Sequence, residues 1–152
     1  MKITKTSKKG IDLIKKYEGF RSKPYLCPAK VATIGYGATY YPNGVKVKLS
    51  DPAIDEKHAS LLLEAMLVPY EKAVDSFCRD DINQNQFDAL VSFAYNLGNG
   101  ALKGSTLLKK VNANPNDIAI KKEFLKWVNA GGKRLQGLVN RRTEEANLYF
   151  SK

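Results

Sequence analysis

EGFRSKPYLCPAKVATIGYG, residues Glu18 to Gly37, is the stretch in which the predicted secondary structure changes from helix to sheet. Apolar residues recur at helical intervals from 11 to 17, which predicts a helix that ends near Glu18. Inside the stretch, closely spaced prolines and glycines are incompatible with a helix, and the β-branched residues between 31 and 36 predict a strand. A similar pattern at 45–49 indicates a second strand, so we expect a small hairpin or three-stranded sheet here.

The rest of the chain is predicted to be mainly helical. A helix should follow Asp55 and be bent or broken at Pro69, because proline lacks the backbone N–H that a helix interior needs. Asn83 and Gln86 have the spacing of a capping box, which predicts the start of an amphipathic helix that reaches Leu97. Further helices are expected at about 105–111, 116–129 and 140–150.

These elements predict an α+β fold in one domain, residues 1–152. A small β-bearing lobe would occupy about 20–50, a connecting helix about 55–75, and a larger helical lobe about 80–152, packed with the N-terminal helix. A chain of 152 residues that is 43% hydrophobic can bury a core without disulfides or metals. A cleft between the two lobes is the default place for a ligand.

The chain carries a formal net charge of +10, from 25 basic and 15 acidic residues. An anionic polymer is therefore an expected partner, either nucleic acid or the negatively charged envelope of a bacterium. The basic residues form scattered pairs, and no block of five or more marks a nucleic-acid-binding tail. No apolar run approaches the roughly 20 residues of a membrane span, and no hydrophobic segment follows the basic N-terminus to make a signal peptide. We therefore expect neither stable membrane insertion nor self-directed export.

Three side chains in the opening stretch combine an acid, a thiol and a hydroxyl. Eight residues separate Glu18 from Cys27, and five separate Cys27 from Thr33. Hydrolysis of a glycosidic bond needs an acid that protonates the leaving oxygen, and groups across a cleft that hold or replace a water molecule. Glu18, Cys27 and Thr33 are therefore the candidate catalytic residues.

This segment resembles the catalytic signature of the phage-type lysozymes, glycoside hydrolase family 24, in which a Glu, an Asp or Cys, and a Thr recur at this spacing. The similarity continues in order and spacing over nearly the whole chain, through the segments Asn83–Leu90, Asn96–Gly98, Gly104–Thr106 and Trp127–Arg142. The resemblance implies a lysozyme-like fold and an endolysin-type muramidase. Such an enzyme hydrolyses the β-1,4 bond between N-acetylmuramic acid and N-acetylglucosamine in peptidoglycan and so lyses the cell wall.

The resemblance also implies partners and a place of action. Bacterial peptidoglycan would be the substrate, no cofactor or metal would be needed, no nucleic acid is expected, and the protein should act as a monomer. The chain would be made in the cytoplasm of a host bacterium. A holin-type factor would then let it cross the inner membrane to the wall.

The role of Cys27 stays open among three mechanisms. It orients a water that attacks from the opposite face of the sugar, or it attacks the anomeric carbon itself, or it contributes only negative charge near the transition state. We favour the first mechanism, because Thr33 supplies a second group for holding that water.

Further candidates come from aromatic, amide and basic residues. Tyr25 and Tyr36 would stack on sugar rings, although tyrosines at such positions are equally often part of a core. Asn96 would contact the substrate with its amide, the alternative being a simple amide on a helix surface. The resemblance implies a basic residue of the C-terminal helix beside Glu18, and either Arg142 or Arg141 matches that position.

Two other functions compete with hydrolysis. A lytic transglycosylase also uses a Glu acid, but the substrate's own hydroxyl attacks and an anhydro sugar results. A basic module that binds nucleic acid or cell wall without catalysis would use Lys133, Arg134, Arg141 and Arg142 as its contacts.

The cysteines, Cys27 and Cys78, could in principle form a disulfide or join His58 in a metal site. Their spacing is poor for zinc, and synthesis in a reducing compartment disfavours a disulfide. We expect both thiols to be free.

Overall fold

The computed structural model describes residues 3–152 and has an α+β fold, as predicted from the sequence. The helices are α1 (Lys8–Glu18), α2 (Glu56–Phe77), α3 (Gln84–Leu97), α4 (Asn99–Lys103), α5 (Thr106–Ala113), α6 (Ile120–Leu125) and α7 (Gln136–Phe150). The strands are β1 (Arg21–Leu26), β2 (Ala32–Gly35), β3 (Asn129–Ala130) and β4 (Lys133–Arg134). None of the helices found in this described part is long and apolar enough to cross a membrane.

The chain divides into two compact units, which are described one at a time. One unit contains residues 14–69, and the other contains residues 3–13 and 70–152. Helices α1 and α2 each contribute residues to both units. The lobe boundaries predicted from the sequence stay predictions.

The unit 14–69 contains the antiparallel hairpin of β1 and β2. Tyr25 pairs with Thr33 and Leu26 with Ala32, and a register irregularity separates Tyr25 from the next pair at Arg21. Strand β1 was not predicted, because Pro24 lies inside it and the irregularity hides the alternation of side chains. One hydrophobic cluster in the core of this unit is formed by Ile34, Ala38, Val47 and Leu62.

The second strand predicted at 45–49 is not formed. This segment makes one isolated bridge, between Tyr40 and Lys46, and Val47 is buried in the core. The alternation of apolar residues favoured a strand, but two backbone hydrogen bonds to residues 39–41 make only one bridge, so the segment is a loop with Val47 buried.

The other unit is built around α3, which packs against α7. The predicted capping box at its start is confirmed: the Asn83 side chain accepts from the Gln86 backbone, and the Gln86 side chain accepts from the Asn83 backbone. Helix α6 also packs against α7, and Phe93 of α3 meets Phe124 of α6 edge to face. Buried aromatic residues therefore fill the space between these helices.

Three helix predictions need correction. Helix α2 extends from Glu56 to Phe77, so the predicted break at Pro69 does not occur, and the alternative of a bend there stays a prediction. Helix α6 ends at Leu125, because residues 129–134 form a short hairpin whose turn has Gly131 and Gly132 at φ values of 58° and 78°. Such values are what a two-residue hairpin turn requires, and they end the predicted 116–129 helix early. Helix α7 begins at Gln136 rather than at 140.

Candidate active site

The β1–β2 hairpin places Cys27 at the start of a tight loop. The Cys27 backbone N–H donates to the Val31 carbonyl at 3.1 Å, and the Lys30 N–H donates to the Cys27 carbonyl at 2.8 Å. Lys30 adopts a left-handed conformation, with φ at 63°. These features describe a three-residue hairpin loop in which a turn is followed by one left-handed residue. The loop fixes the backbone on both sides of the thiol.

Cys27 is half-buried, and hydrogen-bond donors from the hairpin loop and from Thr33 act on its sulfur. The pKa of Cys27 is lowered, chiefly by the Val31 backbone, with further contributions from the Ala29 backbone and the Thr33 hydroxyl, while burial opposes the shift. Donors that face a sulfur stabilise the thiolate over the thiol. Cys27 is therefore a tuned thiol rather than an inert one.

Thr33 is buried, with 3% of its surface exposed, and its hydroxyl lies between two acceptors. It donates to the Val31 carbonyl at 2.9 Å and is also within reach of the Cys27 sulfur. A hydroxyl has one proton to donate and two lone pairs that accept. Whichever acceptor it uses, the Thr33 oxygen keeps lone pairs that can accept a hydrogen bond from a water molecule.

Tyr25 lies on β1, next to Arg21 and opposite Thr33. Its ring lies under the Arg21 guanidinium, 4.3 Å from the ring centroid, and its backbone pairs with Thr33. Burial raises the pKa of Tyr25, Arg21 opposes this, and the negative charges of Glu18 and Cys27 add to it. Both charges must lie near the phenol to act on it, because electrostatic effects weaken with distance. The hairpin therefore brings Tyr25, Cys27 and Thr33 together, and Glu18 is near enough for its charge to act on the Tyr25 phenol.

Glu18 is the last residue of α1 and is half-buried. Gly19 follows with φ at 74°, and its N–H donates to the Lys15 carbonyl at 2.9 Å. A left-handed glycine that closes the last turn is a common helix stop, and it sets the direction in which the chain leaves toward β1. The predicted helix end at Glu18 is confirmed.

The structure places Tyr36 in the interior rather than at an open surface. Its surface is 7% exposed, and its hydroxyl donates to Glu56 at 2.7 Å. Burial and this bond raise the pKa of Tyr36 to about 12. A ring with so little exposed surface has no free face for a sugar, so the geometry favours the alternative of a core tyrosine.

Glu56, which the sequence did not single out, joins three elements of the unit 14–69. It accepts from Tyr36, from Ser60 at 2.7 Å and from Lys15 at 3.3 Å. The Ser60, Tyr36 and Lys15 bonds lower the pKa of Glu56 to about 2. Only its position in the first turn of α2 could have drawn attention to it. Glu56 therefore joins the segment after β2 to α1 and α2, and none of its three bonds is to Glu18, Cys27 or Thr33.

Asn96 and Arg142 contact each other in the unit formed by 3–13 and 70–152. The Arg142 Nη2 atom donates to the Asn96 Oδ1 atom at 2.5 Å, and the guanidinium lies 5.3 Å from the Phe93 ring centroid. Arg142 has no exposed surface, and Asn96 is half-buried. Asn96 is thus more than an amide on a helix surface. The roles predicted for Asn96, Arg142 and Arg141 toward substrate or Glu18 stay predictions.

Glu145 was also missed, although it is completely buried. It lies 3.0 Å from the Arg142 Nε atom and 3.3 Å from the Arg141 Nε atom, and it accepts from the Ser92 hydroxyl at 2.5 Å. Burial raises the pKa of Glu145, and the two arginines oppose that shift. In the sequence, Glu145 follows Arg141 by four residues and Arg142 by three, which is the spacing of ion pairs on one helix. Such pairs usually lie on an exposed helix surface, so the spacing did not indicate a buried group.

These positions weaken the binding-module alternative. Arg141 and Arg142 are 3% and 0% exposed, so they cannot lie against an external polymer. Of the four basic residues proposed as its contacts, Lys133 and Arg134 are the exposed ones.

Both cysteines are free, as expected. Burial raises the pKa of Cys78 to about 12, which disfavours the thiolate, the reactive form of a cysteine. Within residues 3–152, the structure contains no group of three or more His, Cys, Asp or Glu side chains that could hold a metal ion.

The chain is similar to proteins of one family. The family model described as "Phage lysozyme" matches residues 15–145. An endolysin of Bacillus phage B103 is 45% identical over 147 residues, which cover 95% of this chain and 54% of that relative. The chain spans about half the length of the curated relatives first matched, with 54% and 55% coverage.

Two solved structures are similar over their whole length. An endolysin from Escherichia coli O157:H7 phage FAHEc1 has a TM-score of 0.87 and 34% identity, and the match covers 99% of this chain and 96% of that one. The muramidase domain of SpmX from Asticaccaulis excentricus has a TM-score of 0.85 and 30% identity, with 99% and 100% coverage.

Proposed function

Because the chain belongs to the phage lysozyme family, we propose that it is an endolysin-type muramidase that hydrolyses the β-1,4 bond between N-acetylmuramic acid and N-acetylglucosamine in bacterial peptidoglycan. One observation carries the proposal. The Thr33 hydroxyl acts on the Cys27 sulfur in the hairpin, and the charges of both Glu18 and Cys27 act on the neighbouring Tyr25 phenol. An acid, a tuned thiol and a hydroxyl then share one site, which suits glycoside hydrolysis.

In this proposal Glu18 is the general acid. It gives its proton to the glycosidic oxygen as the bond to the anomeric carbon breaks, so that the leaving sugar departs as a neutral alcohol. The ring that remains has the character of an oxocarbenium ion. A Cys27 thiolate would stabilise this positive charge, and the donors that lower the pKa of Cys27 act in that direction.

Cys27 and Thr33 together hold the attacking water. Water has two hydrogens, and the Thr33 hydroxyl oxygen and the Cys27 thiolate can each accept one of them. A water held in this way turns its own lone pair toward the anomeric carbon, and it passes a proton to the thiolate as it attacks. Attack from the face opposite the leaving group inverts the configuration.

Two other outcomes follow from the same residues. Direct attack by the Cys27 thiolate would form a covalent glycosyl enzyme and retain the configuration after hydrolysis. Attack by the substrate's own hydroxyl would give an anhydro sugar, as in a lytic transglycosylase. The Thr33 hydroxyl beside Cys27 keeps lone pairs that can hold a water, and for this reason we favour hydrolysis by water over both.

Digestion of purified peptidoglycan tests the proposal. Wild type, Glu18→Gln and a matched control, Glu64→Gln, would be compared, since Glu64 is exposed on α2 outside the site. Mass spectrometry of the products distinguishes hydrated from anhydro sugars, and NMR before mutarotation gives the anomeric form. We expect hydrated muropeptides, released as the α-anomer, from the wild type and Glu64→Gln, and none from Glu18→Gln.

Other products would contradict parts of the proposal. A β-anomer would show that Cys27 is the nucleophile, and anhydro products would show a transglycosylase. Release by Glu18→Gln at the wild-type rate would remove Glu18 as the acid. If even the wild type released nothing while binding the polymer, the protein would be a binding module.

The proposal includes the route to the wall. The protein is made in the host cytoplasm and reaches peptidoglycan when a holin-type factor opens the inner membrane. It acts as a monomer and needs no nucleic acid. The similarity to phage endolysins supports the wall as the place of action.

A further inference from the structure

The part of the chain that directly follows Glu18 carries positive charge only. Residues 19–50 contain five basic side chains and no Asp or Glu. The basic residues are Arg21, Lys23, Lys30, Lys46 and Lys48. Strands β1 and β2 both lie in this part of the chain, and all five basic residues are exposed. We therefore expect the hairpin surface of the unit 14–69 to attract anionic groups.

The register irregularity in β1 brings Arg21 close to the Tyr25 ring. Arg21 pairs with Gly35, and Tyr25 pairs with Thr33, so a step of four residues on β1 lies opposite a step of two on β2. Four extended residues span roughly 13 Å and two span roughly 7 Å, so the bulge shortens the separation of the two β1 residues. The Arg21 guanidinium carbon lies 4.3 Å from the Tyr25 ring centroid. The ring thus orders an arginine that is otherwise exposed.

Among residues 3–152, the Arg21 guanidinium has no hydrogen-bond acceptor and no ion-pair partner. A guanidinium that stacks on an aromatic ring uses its face for the ring and keeps its N–H donors at its edge. Arg79 shows what this edge does beside a carboxylate, because two of its nitrogens donate to Asp81 at 2.5 Å and 2.7 Å. Arg21 therefore offers the same fork of donors to a ligand.

Arg21 also lies near the candidate catalytic residues of the unit 14–69. It follows Glu18 by three residues, so the two Cα atoms are at most about 11 Å apart. The charges of Glu18 and Cys27 raise the pKa of the Tyr25 phenol, and the charge of Arg21 acts on the same phenol in the opposite direction. An anionic group that is attached close to the reacting sugar would therefore be within range of Arg21.

The substrate of the proposed function carries such a group. The bond to be cleaved starts at C1 of N-acetylmuramic acid, and the peptide of peptidoglycan is joined to this same sugar through its lactyl ether. The peptide has free carboxylates, which match the fork of an arginine. We propose that Arg21 is a substrate-binding residue that donates two N–H bonds to a carboxylate of this peptide, while the Tyr25 ring holds the guanidinium in place. The inference rests on the proposed function and extends recognition from the sugar to its peptide.

Two matched ligands separate a carboxylate contact from other roles of Arg21. The first is the disaccharide muropeptide in which N-acetylglucosamine is linked to N-acetylmuramic acid and its peptide. The second is the same compound with its carboxylates converted to methylamides. Neither ligand contains the bond that the enzyme is proposed to cleave, so the active protein can be used. Dissociation constants would be measured by NMR titration, and thermal melting followed by circular dichroism would report folding.

We expect Arg21→Gln to weaken binding of the native muropeptide by roughly threefold to tenfold, the scale of one exposed charge-assisted pair, and to leave binding of the methylamide unchanged. Arg21→Lys keeps the charge but lacks the fork, so its affinity should lie between those of wild type and Arg21→Gln. Lys23→Gln is the matched control, because it removes one exposed positive charge from the same strand. It should bind both ligands like the wild type.

Four results would overturn the proposal. Wild-type affinity of Arg21→Gln for the native muropeptide would remove the contact. An equal loss with the native and methylamide ligands would show that Arg21 acts through the shape of the hairpin. An equal loss in Lys23→Gln would show attraction by overall charge. A loss that appears only with cell walls that keep teichoic acid, and not with the muropeptide, would assign Arg21 to phosphate groups instead.

The two proposals fail in distinguishable ways. Digestion of peptidoglycan by Glu18→Gln would remove the proposed acid, yet the muropeptide titrations would stand, because they involve no turnover. Wild-type affinity of Arg21→Gln, together with an inactive Glu18→Gln, would remove the carboxylate contact and leave the hydrolase in place.

Discussion

The Thr33 hydroxyl lies within hydrogen-bond reach of the Cys27 sulfur and contributes to the lowered pKa of that thiol. Five residues separate the two in the hairpin loop and strand, and the loop between them is closed by hydrogen bonds at Cys27 and Lys30. A threonine that is buried at 3% exposure thus acts on the half-buried thiol beside it.

Replacing Thr33 with valine should reduce the reactivity of Cys27. Valine has nearly the same shape but no hydroxyl, so the thiolate loses one donor and the Cys27 pKa should rise. We expect the rate of alkylation by iodoacetamide at pH 7 to fall severalfold. The rate would be measured against pH by mass spectrometry, and alkylation of Cys78 would be followed as an internal reference, since burial raises its pKa to about 12.

Thr33→Ser is the matched control for this prediction. Serine keeps the hydroxyl and should leave the alkylation profile close to that of the wild type. A Thr33→Val protein whose profile coincides with the wild type would show that the backbone donors of Val31 and Ala29 tune the thiol without the hydroxyl.

Gly10 lies in α1 where that helix approaches Asp88. A Cβ atom at Gly10 would come within 2.7 Å of the Asp88 Cβ atom and 2.7 Å of the Thr6 side chain. Asp88 is fully buried, and its carboxylate accepts hydrogen bonds from the Ser7 backbone N–H and from the Ser7 hydroxyl. Moving Asp88 aside would break these bonds. The glycine therefore permits a close approach of backbone to side chain.

Gly10→Ala should destabilise the protein by about 1 to 3 kcal/mol, because overpacking outweighs the gain of up to about 1 kcal/mol in helix propensity. The measurement is the free energy of unfolding in urea. Gly137→Ala in α7 is the control: its added methyl meets nothing within 4 Å, so it should stabilise by about 0.5 to 1 kcal/mol. Equal effects of the two substitutions would contradict a steric role for Gly10.

Glu56 should stabilise the unit 14–69 only above acidic pH. Its pKa is lowered from an ordinary 4.5 to about 2 by Ser60, Tyr36 and Lys15. A carboxyl group with a lowered pKa in the folded state contributes stability above its unfolded pKa, and this contribution is lost as the pH falls toward 2. We expect Glu56→Gln to melt at a lower temperature than wild type at pH 6 and at nearly the same temperature at pH 2.

Calorimetry or circular dichroism across pH 2 to 6 checks this convergence. Glu64→Gln, which changes an exposed carboxyl on the same helix, should follow the wild-type curve throughout. A constant difference between Glu56→Gln and wild type would show that the side chain acts by its shape and not by its charge.

Features that depend on neighbours in the chain were predictable from the sequence. The capping box at Asn83 and the helix end at Glu18 were both confirmed, because each is formed by residues within four positions of one another. The nearness of Cys27 and Thr33 was likewise predictable, since a tight hairpin brings its two sides together whatever the rest of the chain does.

Burial was not predictable, because it depends on which distant surfaces meet. Tyr25 and Tyr36 were equivalent candidates in the sequence. In the structure, the Tyr36 hydroxyl donates to Glu56, twenty residues further along the chain, and this bond helps to keep the Tyr36 ring in the interior. Arg141, Arg142 and Glu145 have the spacing of exposed helical ion pairs, yet the packing of α3 against α7 buries all three. The chain thus specified its local turns, caps and reactive groups through short-range geometry. Packing between distant segments determined which polar groups lie inside, where a partner is required, and which stay open to a ligand.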